Sequence, residues 1–155
     1  MKNSFWYVPV IITIAFGYIA GGYLSFGVQY LGVLPCITDE EARFVLMVFG
    51  VGMLGGTTLS SKYWAIDINE VFYLGKAEFK PHPFDFFGYL SMIIEGGITG
   101  LVLVFLVKTG LVIITSHVDL EINLPATFLI AYCGGLFHFE VIDKLSKYAK
   151  ERLKK

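Results

Sequence analysis

Thirty consecutive residues near the start of the chain, Phe5 to Leu34, include no charged side chain. The hydrocarbon core of a bilayer is about 30 Å thick, and roughly 20 apolar helical residues cross it. A run this long can span with tilt or continue past the lipid. It also exceeds the ~7–15 apolar residues of a secretory signal, so it predicts an uncleaved first span. The whole composition points the same way. The 155 residues (17.3 kDa) predict one domain; 55% are hydrophobic, 16% charged, and the mean hydropathy is +0.67. A soluble domain carries about 25% charged residues, and a small globule has too much surface to forgo them. Lipid is the solvent such a chain needs. The composition argues against a soluble enzyme, a nucleic-acid-binding domain and a disordered tail. A net charge of −1 offers no footprint for direct contact with nucleic acid. Cys36 and Cys133 have no recurrent spacing, which excludes a disulfide framework and a Cys-rich zinc site.

Three further apolar stretches follow, at about 44–61, 84–107 and 125–140. Thr38 and Glu41 have the spacing of a capping box, which predicts a helix start near Asp39. Pro81-His82-Pro83 opens the third stretch, where a proline suits the first helical turn. The fourth is the shortest as an uninterrupted run and continues amphipathically beyond Phe137. Lys and Arg divide unevenly between the two sides of this layout. The N-terminus, the loop at 62–83 and the C-terminal segment hold ten, against Arg43 and Lys108 opposite. The positive-inside rule then puts both termini in the cytoplasm. Trp6, Tyr7, Tyr63 and Trp64 fall at that same interface, where amphipathic rings are favoured. The expected architecture is an all-α, four-helix transmembrane bundle over 1–140, followed by a basic amphipathic cytoplasmic helix at 141–155. The loop at 62–83 interleaves Trp64, Ile66, Ile68 and Phe72 with Asp67 and Glu70, so it reads as an interfacial helix or a cover over the span ends.

Fifteen of the seventeen glycines lie within the four stretches. Gly17 and Gly21, Gly52 and Gly56, and Gly96 and Gly100 each have G-x-x-x-G spacing, which lets helix backbones approach closely in lipid. Two readings stand: packing within one bundle, or faces that join subunits. Three such faces exceed what one small bundle needs, which predicts a homo-oligomer. Glu95 lies near the middle of the third stretch, where an ionised group costs about 2.5–3.5 kcal/mol on insertion scales. Gly88, Ser91, Glu95 and Thr99 share one helix face. Glu95 thus lines an ion or proton path, or is protonated and fixes packing between helices.

His82, Asp85, His138 and Glu140 form a third group at the cytoplasmic ends, a set of residue types that could serve a membrane enzyme or hold a metal. Neither H-E-x-x-H nor H-x-x-E-H occurs, and Ser60, Ser61 and Ser91 lack a nucleophile-elbow context. No catalytic residue, metal or cofactor is therefore assigned. The C-terminal segment places Val141, Ile142, Leu145, Tyr148, Ala149 and Leu153 at helical spacing, with Lys144, Lys147, Lys150, Arg152, Lys154 and Lys155 over much of the rest. Such a helix lies on anionic headgroups or docks a cytoplasmic protein.

The four-span layout, the glycine-rich third span (Gly96, Gly97, Gly100) and the Gly134-Gly135-Leu136-Phe137 run leading into a charged helix resemble small membrane subunits of bacterial anti-phage defence systems, of the Kiwa membrane-subunit type. The resemblance implies a homo-oligomeric inner-membrane assembly that recruits a soluble effector. It carries over no residue role.

Overall fold

The computed structural model describes residues 7–27, 39–72, 85–109 and 124–153. Among them are five α-helices and no strand. Helix α1 is Tyr7–Gly22, and its end widens into a π-helical turn at Tyr23–Gly27. Then come α2 (Glu40–Phe72), α3 (Asp85–Lys108), α4 (Leu124–Leu136) and α5 (His138–Leu153). Val8–Gly27, Glu40–Asn69 and Asp85–Lys108 are each long and apolar enough to cross a membrane. Helices α4 and α5 make a fourth span if that pair, bent by 87°, is one broken span. The chain has the architecture of a multi-pass helical membrane protein.

The surface agrees with lipid as its solvent. Ile12, Phe16 and Ile19 on α1, Ile98 and Phe105 on α3 and Leu129 on α4 are all exposed. In water so much apolar surface would drive association; in hydrocarbon it needs no cover.

Helix α2 begins where its cap allows. The Asp39 carboxylate accepts the Glu41 N–H at 3.0 Å, so Asp39 is the cap, and Glu40 and Glu41 meet the positive end of the helix dipole. Thr38, the other half of the expected capping box, lies outside the described residues. At 33 residues α2 is about 50 Å long, well beyond the bilayer core. The expected loop at 62–83 therefore begins as helix and stays so to Phe72. The segment from Lys62 to Phe72 contains neither Gly nor Pro, and Gly75 is the first breaker after it.

Helices α2, α3 and α4 pack on one another, and α1 lies against α2 and α3. Glycine permits this contact. A Cβ at Gly52 would stand 2.6 Å from the Gly96 carbonyl oxygen, one at Gly56 would stand 2.5 Å from that of Met92, and one at Gly100 would stand 2.6 Å from that of Ala131. Gly17 faces Thr57 and Ile93, while Gly21 faces Gly50 and Leu54. All three G-x-x-x-G pairs are thus used inside one chain. They no longer argue for a subunit interface, because the count of small faces is taken up by how closely three helices cross.

Hydroxyls in this apolar setting bond back to their own helix. Thr57, Thr58, Ser60 and Ser61 donate to the carbonyls of Met53, Leu54, Gly56 and Thr57 at 2.7–2.9 Å. Between helices, the Tyr132 hydroxyl donates to Thr58 Oγ1 at 3.1 Å, and that of Tyr89 donates to Asp67 Oδ2 at 2.6 Å. The second bond ties the α3 start to the projecting end of α2. Replacing Tyr89 with Phe is expected to lower the unfolding free energy by about 1.5 kcal/mol, the low end for a bond to a charged group because this one is partly buried. A denaturant titration in micelles measures it, and an unchanged midpoint would show that the bond contributes nothing.

Candidate functional site

The fourth stretch does not run straight. Helix α4 has only 13 residues, about 20 Å, which is too short to cross the core alone. Its last bond runs from the Phe137 N–H to the Cys133 carbonyl, and the Val141 N–H then bonds the Phe137 carbonyl. Between these bonds the axis turns by 87°. The helix breaks at Phe137, one residue before the ring that fills the bend and inside the stretch expected to run to 140.

That ring is His138. Its side chain is 0% exposed and lies against Phe139, with ring centroids 4.1 Å apart. His138 Nδ1 is 2.9 Å from the Gly135 carbonyl oxygen, at the end of α4 where helical acceptors lose their regular partners. A carbonyl can only accept, so Nδ1 carries the hydrogen. The other nitrogen, Nε2, is buried with no hydrogen-bond partner. It faces Glu95 Oε2 at 3.7 Å, beyond the hydrogen-bond range of about 2.7–3.2 Å. Sealing such an atom without a partner costs about 1–3 kcal/mol.

Glu95 sits ten residues from Asp85 and thirteen from Lys108 on α3, roughly 15 Å and 20 Å along the axis. It is thus near mid-span, as its position in the third stretch predicts. Ser91 Oγ donates to Glu95 Oε1 at 2.5 Å. The Glu95 side chain is nevertheless 43% exposed, and Ser91 is exposed too. Thr99, on the same stripe, is buried; Gly88, at its other end, has no atom near the position of a Cβ. The stripe therefore starts on the outside of the bundle and twists into it. The site is a carboxylate held by a serine, half open to its surroundings, with a sealed imidazole behind it.

Among its described members the other anticipated grouping is not assembled. His82 lies outside the described residues, Asp85 is half-buried at the start of α3, and Glu140 is exposed. His138 turns its nitrogens to Gly135 and Glu95 instead. Among the described residues no three His, Cys, Asp or Glu side chains converge as a metal site. On α5, Lys144, Lys147 and Lys150 are exposed, and Lys147 pairs with Asp143 at 2.6 Å. Arg152 is on the helix, while Lys154 and Lys155 lie outside the described residues. Cys133 is a free, half-buried thiol; Cys36 lies outside the described residues. At the far end of the bundle, Lys108 Nζ sits 3.9 Å over the Phe44 ring, and a cavity of about 250 Å³ opens between Glu40, Arg43, Phe44, Met47 and Leu124.

Sequence reasoning singled out both Glu95 and His138 but not their meeting. Forty-three residues separate them, and a straight fourth span would have carried His138 to the membrane edge. The Gly134-Gly135 pair before a histidine is the one local sign of a bend. Compared with protein-family models, curated proteins and solved structures, the chain matches none.

Proposed function

We propose that this chain is a bacterial inner-membrane protein, with both termini in the cytoplasm, that self-associates and presents α5 to a cytoplasmic protein. The observation that carries this reading is the half-exposed Glu95. A carboxylate near mid-span is costly against lipid, and here it shares its face with the exposed Ser91 and the open Gly88. A second copy laid on this face covers all three residues and gives the carboxylate a polar interior shared between protomers. The 87° bend adds support. It sends the exposed Lys144, Lys147 and Lys150 sideways from the bundle, where lipid headgroups or a partner protein can meet them. The lysine asymmetry of the sequence supports the cytoplasmic placement of both termini. The resemblance to anti-phage membrane subunits fits a role in bacterial defence, with the partner as the effector.

Native mass measurement in lipid nanodiscs tests the first half, with an oligomer expected and a monomer at every protein concentration overturning it. For the second half, co-purification from the source cells is compared with and without residues 144–155. A soluble protein is expected to be lost with that segment. If the same proteins are recovered from both forms, the docking role of α5 fails.

A further inference from the structure

The proposed function leaves one arrangement unexplained: a buried imidazole nitrogen with no partner aimed at a carboxylate. With Nδ1–H committed to the Gly135 carbonyl, a neutral His138 presents a lone pair at Nε2. An ionised Glu95 presents another at Oε2, 3.7 Å away. Two lone pairs facing each other repel, and in a weakly polar setting that repulsion is poorly screened. One added proton reverses the sign. Carried on Nε2 it makes imidazolium and carboxylate; carried on Oε2 it makes imidazole and carboxylic acid. Either way the contact becomes a hydrogen bond, and closing it requires about half an ångström of movement. The Ser91 hydroxyl, donating to Oε1, leaves Oε2 as the oxygen turned to the ring.

Among the described residues, no other titratable group on the packed helices is placed against this contact. Helix α2 carries no titratable side chain between Arg43 and Lys62, so its glycine face at 52–56 is neutral. On α4 the only titratable groups are Tyr132, which bonds Thr58, and the Cys133 thiol. Tyr18 on α1 bonds Ser61, and Tyr89 on α3 bonds Asp67. Asp85 and Lys108 stand at the ends of α3. Glu140, Asp143, Lys144 and Lys147 on α5 are exposed, whereas the His138 ring is sealed.

We propose that Ser91, Glu95 and His138 form an intramembrane proton-binding site whose single proton fastens the start of α5 to α3. His138 is the first residue of α5 and bonds the last turn of α4, so the site acts on the bend itself. The proton-bound form is the fastened one. The ratio of bound to free rises about tenfold for each unit fall in pH, so acid holds α5 against the bundle and alkali releases it. Only the consequence, control over what α5 presents to a partner, rests on the proposed function. The site itself lies within one chain.

The test is a spin-label distance between Tyr63 on α2 and Lys150 on α5, both exposed. It uses the full chain in nanodiscs with Cys36→Ser and Cys133→Ala, diluted with unlabelled protein. Wild type is expected to give a short, narrow distribution in acid and a longer, broader one in alkali. Glu95→Gln keeps an acceptor for Ser91 and offers an amide N–H to Nε2, so it should hold the short distance at every pH. His138→Ala should hold the long one. Infrared difference spectra of wild type between acid and alkali should show the loss of either a carboxylic acid band or an imidazolium band, according to which partner holds the proton, and Glu95→Gln should show neither. Identical wild-type distributions at both pH values overturn the proposal, as does a pH response that survives Glu95→Gln. Should His138→Ala fail to fold, the Glu95→Gln arm decides alone. A pH response in a chain that stays monomeric keeps this inference and removes self-association; an oligomer without the response does the reverse.

Discussion

Gly135→Ala is expected to unfold the bundle at clearly lower denaturant than wild type, losing about 3 kcal/mol or more, the upper part of the range for overpacking. The added Cβ would strike the Gly52 carbonyl oxygen and lie within 3.1 Å of the Gly52 carbonyl carbon and Cα. These are main-chain atoms, so no rotamer change relieves the clash and the two helices must part. They cannot part locally. Gly52 is also pressed against Gly96 and Gly97 of α3, and Gly100 of α3 is pressed against Ala131 and Gly134 of α4. Moving α4 off α2 therefore opens a second helix pair as well, α3 from α4 or α3 from α2. In lipid, close van der Waals contact is what holds helices together, since burial from water adds little. Gly22→Ala is the control. No atom lies within 4 Å of where its Cβ would be, and alanine is the better helix former by about 1 kcal/mol in a helix interior. That variant should match or slightly exceed wild type. Equal midpoints for Gly135→Ala and Gly22→Ala in a detergent-unfolding titration would mean that α2 and α4 do not meet at Gly52.

How far such contacts can be read from sequence depends on which variable each residue reports. Periodicity and charge report solvent, and for this chain they locate three long helices well. The third stretch, expected at 84–107, is helical from Asp85 to Lys108. Gly52, Gly56, Gly96 and Gly100 announce close approach but not the partner, because a glycine face looks the same toward its own chain and toward another. The extension of α2 to Phe72 is hidden for a different reason. Lys62, Asp67 and Glu70 mark the end of lipid, and the end of lipid need not be the end of a helix. The bend at Phe137 is set by tertiary packing, with the Gly135 backbone against α2 and the His138 ring between Gly135 and Glu95. Beyond the Gly134-Gly135 pair, no local propensity encodes it. Glu95 was legible as costly, and cost implies a partner; that the partner is His138 required the bend.

Glu95→Leu is expected to separate assembly from the stability of the single chain, moving the two in opposite directions. On insertion scales leucine at a helix centre contributes about −0.3 to −0.6 kcal/mol, where Asp, Lys or Arg costs about 2.5–3.5 kcal/mol. A monomer whose 43%-exposed Glu95 side chain met only lipid would therefore gain roughly 3 kcal/mol from the change. A shared polar interior between protomers reverses that gain. Leucine there puts an apolar side chain where that interior is polar. It also removes the reason for a second copy to cover the face. The expected result is a loss of the oligomer in native mass measurements, with the monomer at least as resistant to detergent unfolding as wild type. An oligomer that persists unchanged would show that Glu95 faces something other than a second copy. The sign of each change, more than its size, decides. An apolar residue can favour the single chain and disfavour the assembly together only if the carboxylate it replaces is exposed in one and covered by polar groups in the other.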